Sequence, residues 1–127
     1  MIRSFFYRWK PAIISSMLNN INRLRKAGDI QKVFKFGKSA RSANFSIRYN
    51  PNRVSNNRFA VVVGTKVDKR ATRRNAIKRL VREVIRLNIQ SIPTSFDIVL
   101  TAHKLANWPI KLADVQPELT ELLQKIR

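Results

Sequence analysis

The uneven distribution of charge constrains the folding of this 127-residue chain more than any other feature. Residues 1–86 contain 22 lysines and arginines but three acidic residues, whereas residues 87–127 contain four basic and four acidic residues. A folded domain keeps almost all such cations at its surface, where their mutual repulsion destabilises the compact state. The core must therefore come from a few apolar segments, and an anionic partner is expected to neutralise the surface.

Length and composition narrow the possible classes of protein. The chain is long enough for one domain with its own core. It has no cysteine, which excludes disulfides and thiolate metal sites, so we expect a cytoplasmic protein. The apolar run at residues 12–14 is too short for a signal peptide or a membrane span, and Pro11 interrupts the one candidate for a membrane-surface helix. A polyphosphate backbone is therefore a better candidate for the partner than a membrane.

Apolar spacing predicts a short helix near the start of the domain. The helix begins at residues 27–29 and ends at Gly37. Ile30, Val33 and Phe34 lie three and four residues apart, which gives the helix one apolar stripe.

The segment that follows this helix is typical of extended structure. Residues 38–49 look extended, and Ala43, Phe45, Ile47 and Tyr49 alternate with polar side chains, as in a strand with one buried face. We expect a break near Ser42 that divides residues 38–49 into two strands. A turn-rich loop leads to residues 59–63, whose unbroken apolar run predicts a third strand covered on both faces.

The second half contains a long helix, a strand and a final helix. The long helix covers roughly residues 71–89, and a buried strand follows at residues 96–102. The last helix begins near Asp114, a plausible N-cap, with Pro117 in its first turn. The sequence thus predicts a single α+β domain with the element order α-β-β-β-α-β-α.

The long helix has two chemically different faces. At 100° per residue, one arc contains Ile77, Leu80, Val81, Val84, Ile85 and Leu87. The opposite arc contains Asn75, Lys78, Arg79, Arg82 and Arg86. An ordinary solvated helix face is the alternative interpretation, but Glu83 is the one acid on the helix and cannot pair with all of these cations. The strip is suited to phosphate groups, whose oxygens a guanidinium group binds in pairs.

This helix carries a resemblance to a known family. Residues 74–83, Arg-Asn-Ala-Ile-Lys-Arg-Leu-Val-Arg-Glu, closely resemble the signature helix of the bacterial ribonuclease P protein component, whose pattern is Arg-Asn-Arg-Ile-Lys-Arg followed by Arg-Glu. Ala76 departs from the pattern at the second arginine. Three other segments resemble the family in the same order, namely residues 22–26, 29–37 and 97–102.

The resemblance also predicts how the chain is divided. It covers residues 20–127, and the family domain is assigned to residues 17–127. Residues 1–16 are expected to be a disordered basic extension or the product of a misassigned start, with little structural role.

The family resemblance implies a fold and an activity. The fold is an α/β sandwich with a mixed sheet of about four strands and a left-handed βαβ crossover, an exception to the usual right-handed rule. The activity is that of an accessory subunit of an endoribonuclease, whose catalytic RNA subunit removes the 5′ leader from precursor tRNA. The residues expected to contact RNA are Arg23, Arg25, Lys26, Lys66, Arg70, Arg73, Arg74, Asn75, Lys78, Arg79, Arg82 and Arg86.

The resemblance further implies a cleft between the first helix and the sheet that holds the single-stranded leader. Phe34 matches one leader-facing aromatic residue of the family. Ile30 stands where the family usually has a second one, and an aliphatic side chain offers no ring for stacking. Phe45 and Tyr49 are candidates for the cleft floor. Both could instead be core residues, an interpretation that is favoured for Phe45 and evenly balanced for Tyr49.

The residues offer no set of groups for catalysis by the protein itself. His103 is the one histidine, and a structural or exposed position is favoured for it over a phosphate contact. No carboxylate pair has a spacing that suggests a shared metal, and no glycine-rich phosphate loop occurs. We therefore expect no cofactor bound by the protein alone, with magnesium held by the RNA subunit. A ribosomal protein or a general RNA chaperone would share the charge, but neither explains the ordered motif matches.

Overall fold

The structure, a computed structural model, describes residues 23–105 and 108–127. Within these residues the chain forms three α-helices and four β-strands in the predicted order. The elements are α1 (Ala27–Phe36), β1 (Lys38–Arg41), β2 (Phe45–Pro51), β3 (Arg58–Val63), α2 (Ala71–Asn88), β4 (Phe96–Ala102) and α3 (Leu112–Leu123). A short 3-10 helix, Ile89–Ser91, follows α2. The predicted extension, residues 1–16, lies outside the described residues, and its role stays a prediction.

The four strands form one mixed sheet in the order β1-β2-β4-β3. β1 pairs antiparallel with β2, β2 pairs antiparallel with β4, and β3 is parallel to β4. Parallel neighbours need a crossover connection, which α2 supplies between β3 and β4. The predicted mixed sheet of four strands is thus confirmed, while the left hand of the crossover stays a prediction.

Helices cover both faces of the sheet. α2 and α3 pack on one face, where alternate residues of β2 and β4 point into the main core. α1 packs on the opposite face, where Leu24, Val33 and Val99 form a smaller cluster with Ile30 and Ala60. This arrangement is the predicted α/β sandwich. Consecutive residues of a strand therefore belong to different layers, which decides which of them can reach a ligand beside α1.

β3 is an edge strand, which corrects the prediction that both of its faces are covered. Val62 exposes 40% of its surface, because it lies on the α1 face beyond the small cluster. The free edge of β3 is partly covered by residues 23–24, where the Leu24 N–H donates a hydrogen bond to the Phe59 carbonyl oxygen at 2.7 Å. Such cover protects backbone groups that would otherwise be open to another strand.

Two details of the helices also differ from prediction. Leu87, placed on the apolar arc of α2, is 49% exposed, because it lies at the margin of the side that packs into the core. α3 begins at Leu112 rather than near Asp114. The Asp114 carboxylate caps this helix from inside the first turn by accepting a hydrogen bond from the Lys111 N–H at 2.8 Å. Pro117 therefore lies beyond the first turn.

Gly37 sets the approach of α1 to the sheet. A Cβ atom at this position would lie 2.4 Å from the Val33 carbonyl oxygen and 2.9 Å from the Tyr49 carbonyl oxygen. Both oxygens belong to the backbone and cannot rotate away, so glycine lets the end of α1 pass close to β2. This contact fixes the distance of α1 from the sheet and hence the depth of the space beside the helix.

A carboxylate on α3 holds the turn between β1 and β2. Glu118 accepts hydrogen bonds from the Ser42 hydroxyl, from the Asn44 backbone N–H at 2.8 Å and from the Asn44 side chain at 2.9 Å. Burial acts to raise the pKa of Glu118, but the hydrogen bonds together outweigh burial, and the pKa lies below its ordinary value of 4.5. Folding thus favours the charged form of this carboxyl.

We expect Glu118→Gln to lower the free energy of unfolding by about 1 kcal/mol at neutral pH, because a neutral amide accepts weaker hydrogen bonds. A pKa that folding lowers contributes stability that is fully present above 4.5 and is lost as the pH falls through the folded value. Urea denaturation of both proteins at neutral pH and well below pH 4.5 measures this. The wild-type advantage should shrink in acid, and an equal difference at both pH values would contradict the role of the charge.

Candidate nucleic-acid interface

α2 buries one side in the main core and leaves a cationic strip on the other. Within this strip Lys78, Arg79 and Arg82 form no ion pair with a described residue. Burial lowers the pKa of Arg82, and the nearby charges of Arg23 and Arg79 lower it further. Three guanidinium groups are thus crowded together, an arrangement that a phosphate group would stabilise.

Three other arginines of α2 are held by the protein itself. Arg86 lies 2.5 Å from the Glu83 carboxylate. Arg74 donates hydrogen bonds to two backbone carbonyl oxygens of the preceding loop, and Arg73 lies 3.6 Å from the Asp68 carboxylate. Glu83 is thus used by Arg86, three residues away, and does not pair with the other cations of the helix. The central part of the strip remains without such partners among the described residues.

The remaining predicted RNA-binding residues lie in the segments that precede α2 and α1. Lys66 and Arg70 are exposed in the loop before α2, and Arg25 and Lys26 are exposed in the segment before α1. Asp68 lies in the same loop as Arg70. The Asp68 carboxylate accepts a hydrogen bond from the Arg70 backbone N–H at 2.9 Å, and this bond is the main cause of the lowered pKa of Asp68. The structure thus brings Arg23 to α2 and leaves these other cations exposed. Contact of these residues with RNA stays a prediction.

The leader cleft is predicted beside α1, on the face of the sheet that α1 partly covers. Ile30 and Phe34 are one helical turn apart and so lie on the same side of α1. Ile30 packs against the small cluster, whereas Phe34 is 46% exposed. The Arg48 guanidinium group donates to the Phe34 carbonyl oxygen at 2.6 Å and lies 5.8 Å from the centre of the Phe34 ring. An exposed ring next to a fixed cation can accept an RNA base.

Phe45 and Tyr49 do not form the floor of this cleft, which corrects the prediction for both. Phe45 is fully buried and Tyr49 is 7% exposed, and both belong to the main core with α2 and α3. The Tyr49 hydroxyl donates to the Lys125 carbonyl oxygen at 3.1 Å. Their side chains therefore point away from α1, and the core interpretation holds for both.

The open part of the α1 face consists of residues outside the predicted leader site. Arg41, Ser46, Thr101 and Val62 lie side by side across the four strands, and none of them is buried. His103 follows β4, and its Nε2 lies 2.6 Å from the Ser46 hydroxyl oxygen. Ser46 and Thr101 alternate with buried residues of their strands, and that alternation was the signal available in the sequence.

The described residues include no group of three or more histidine, aspartate and glutamate side chains that could hold a metal ion. None of the described helices has the length and apolar character needed to cross a membrane. The described surface offers many cations and the exposed ring of Phe34, which suit a polyanion that has a single-stranded part.

Comparison with known proteins identifies the family of the chain. Residues 18–127 match the family model described as Ribonuclease P. The chain is 38% identical over 107 residues to the ribonuclease P protein component of Thermotoga maritima, covering 82% of this chain and 91% of the relative. It is 35% identical over 107 residues to that of Fusobacterium nucleatum, covering 82% of this chain and 96% of the relative. The solved structure of the T. maritima RNase P protein matches with a TM-score of 0.72 and 34% identity, over 83% of this chain and 97% of that one. The chain therefore belongs to the bacterial ribonuclease P protein family, the protein subunits of the ribonucleoprotein that matures the 5′ end of tRNA.

Proposed function

We propose that the α2 strip binds the backbone of the catalytic RNA subunit, and that the cleft beside α1 binds the single-stranded leader of precursor tRNA. The observation that carries the proposal is that Arg79 and Arg82 lie on α2 opposite its core side, where the charge of Arg23, from the segment before α1, also acts on Arg82. Cations that repel one another in the free protein gain most when a phosphate group joins them.

The two binding surfaces adjoin each other. Arg23 runs along the free edge of β3 and reaches the α2 strip, while Val62 of the same strand belongs to the open row beside α1. A leader in the cleft would thus lie next to RNA bound along α2. The adjacency of the two proposed binding surfaces fits a protein that holds substrate and catalytic RNA together.

The leader site supports binding without a required sequence. Phe34 offers a ring, and Ser46, Thr101 and His103 offer small or adaptable polar groups. Ring stacking and backbone contacts accept every base, which suits leaders of different sequence. The interaction favours precursor over mature tRNA, because the product has no leader to fill the cleft.

The reaction itself is assigned to the RNA subunit. In this proposal magnesium is held by that RNA, and the protein contributes positive charge and a grip on the leader. The place of action is the cytoplasm, which suits a cysteine-free chain with a role in tRNA maturation.

A reconstitution experiment tests this assignment. Precursor-tRNA cleavage is measured with the protein alone, with the RNA subunit alone and with both, over a range of magnesium and salt concentrations. We expect no specific cleavage by the protein alone and a lower magnesium requirement for the combination. Specific cleavage by protein shown to be free of RNA would overturn the assignment of the chemistry.

We expect Phe34→Ala to weaken binding of precursor tRNA to the assembled enzyme by about 1 kcal/mol, roughly fivefold, through the loss of one stacked base. Affinity for mature tRNA and for the RNA subunit should stay the same. The melting temperature should change little, because the side chain is already 46% exposed. Equilibrium binding of both tRNAs, measured beside thermal unfolding, checks this.

A matched control for this prediction is present in the same helix. Phe36 is 66% exposed and lies two residues from Phe34, and so on a different side of α1. Phe36→Ala should leave precursor binding unchanged. A Phe34 variant that loses stability and binds precursor and mature tRNA equally poorly would show that the ring serves the fold.

A further inference from the structure

Trp108 is a large aromatic side chain at the surface beside α2. It lies in the segment between β4 and α3 and is 41% exposed. The guanidinium carbon of Arg73, near the start of α2, lies 4.8 Å from the centre of the Trp108 ring. This distance is that of a cation–π contact, so the indole is held against the first turn of α2.

Core packing does not account for the position of Trp108. Leu105, Ile110 and Leu112 pack against the main core and anchor the segment on both sides of the indole. A tryptophan buried among them would remove much more apolar surface from water than a half-exposed one. An exposed tryptophan beside an arginine is instead typical of surfaces that bind a partner.

The charges around Trp108 favour RNA as this partner. Arg73 lies against the ring, and the exposed Lys69 and Arg70 belong to the loop that leads into α2. The Asp68 carboxylate of this loop is engaged by the Arg70 N–H at 2.9 Å and lies 3.6 Å from Arg73. Cations interleaved with an aromatic ring suit RNA, because bases stack on the ring while phosphates meet the cations.

We propose that Trp108 binds an unpaired nucleotide of the catalytic RNA subunit, whose base packs on the exposed part of the indole. The site extends the α2 strip past its N-terminal end and adds a contact that does not depend on charge. The proposal rests on the proposed binding of the RNA subunit by α2. Trp108 contributes a ring on which a base packs, whereas Arg73 contributes a positive charge for a phosphate group.

Titration of the RNA subunit with full-length variants over a range of salt concentrations tests the proposal. Trp108→Ala should weaken binding about 5- to 150-fold, as expected for one stacked base, and leave the salt dependence unchanged. Trp108→Phe should retain most of the affinity, because it keeps a ring. Arg73→Ala should reduce the log-log salt slope by roughly 0.7 to 0.9. A reduced salt slope for Trp108→Ala would mean that the indole only positions Arg73, and would overturn the ring contact.

Fluorescence provides a measurement that keeps the ring in place. In a Trp9→Phe background Trp108 is the one tryptophan of the chain, so the RNA subunit should quench or shift its emission. A leader oligonucleotide and mature tRNA at the same concentration should not change the emission. Unchanged emission with the RNA subunit bound would overturn the proposal, and so would equal quenching by the leader oligonucleotide. If the proposed binding of the RNA subunit by α2 is wrong, alanine variants of Arg79 and Arg82 should lose no affinity. If only the Trp108 proposal is wrong, these variants should still lose affinity.

Discussion

Replacing both Arg79 and Arg82 with alanine is expected to weaken binding to the RNA subunit by about 25- to 60-fold at 0.1 M salt. Each lost phosphate contact removes roughly 0.7 to 0.9 from the log-log salt slope, so the slope should fall by about 1.4 to 1.8. The fold should survive, because neither side chain forms an ion pair with a described residue. The measurement is equilibrium binding at several salt concentrations, with melting temperatures recorded for each variant.

The control for this experiment removes two positive charges from positions outside α2. Arg53 and Arg127 are exposed and lie outside α2, in the loop after β2 and at the end of the chain. Their double alanine variant should retain nearly the full salt slope, because general attraction at a distance is weaker than direct phosphate contact. An equal loss of slope in both double variants would show that net charge, and not the α2 strip, sets the affinity.

Asp97→Ala is expected to lower the free energy of unfolding by about 3 kcal/mol, which corresponds to a fall of about 10 °C in melting temperature. The Asp97 carboxylate is buried and accepts hydrogen bonds from Arg58 at 2.8 and 2.7 Å and from the Asn52 side chain at 2.8 Å. The hydrogen bond to Asp97 is the main cause of the raised pKa of Arg58. Loss of the carboxylate leaves a partly buried guanidinium group 3.6 Å from Asp29, its remaining acidic partner among the described residues.

Thermal and urea unfolding measure this effect, and a second variant identifies its cause. If the loss comes from the unpaired guanidinium group, then Arg58→Met combined with Asp97→Ala should be more stable than Asp97→Ala alone. Binding of the folded variants to the RNA subunit should stay normal, because Arg58 and Asp97 belong to β3 and β4 and not to the α2 strip. A single variant that melts within about 2 °C of the wild type would contradict the structural role of Asp97.

Local patterns in the sequence were sufficient to predict the elements and the cationic strip. The alternation of Phe45, Ile47 and Tyr49 predicts one buried face of β2, and the structure buries all three side chains. The pattern does not say which helix covers that face, because strand periodicity is the same for either layer. Phe45 and Tyr49 were therefore considered for the cleft, although α2 and α3 cover them.

Pairing between distant segments limits what could be predicted about β3 and about the site. The apolar run 59–63 is compatible with a central or an edge strand, and only the order β1-β2-β4-β3 places it at the rim. Ser46 pairs with Thr101 across 55 positions of sequence, and Arg73 contacts Trp108 across 35 positions. Such neighbours follow from strand register and loop paths, which local composition does not encode.

The central position of β4 also bears on how the chain is synthesised. β4 is the last strand to be made, yet it is the neighbour of both β2 and β3, which do not pair with each other. A nascent chain that ends before Phe96 can form the β1–β2 hairpin, but it has no strand that joins β3 to that hairpin. α2 and its cations thus leave the ribosome before the strand that fixes their position. The sheet, and with it the position of α2 on the sheet, is therefore completed only after β4 has been made.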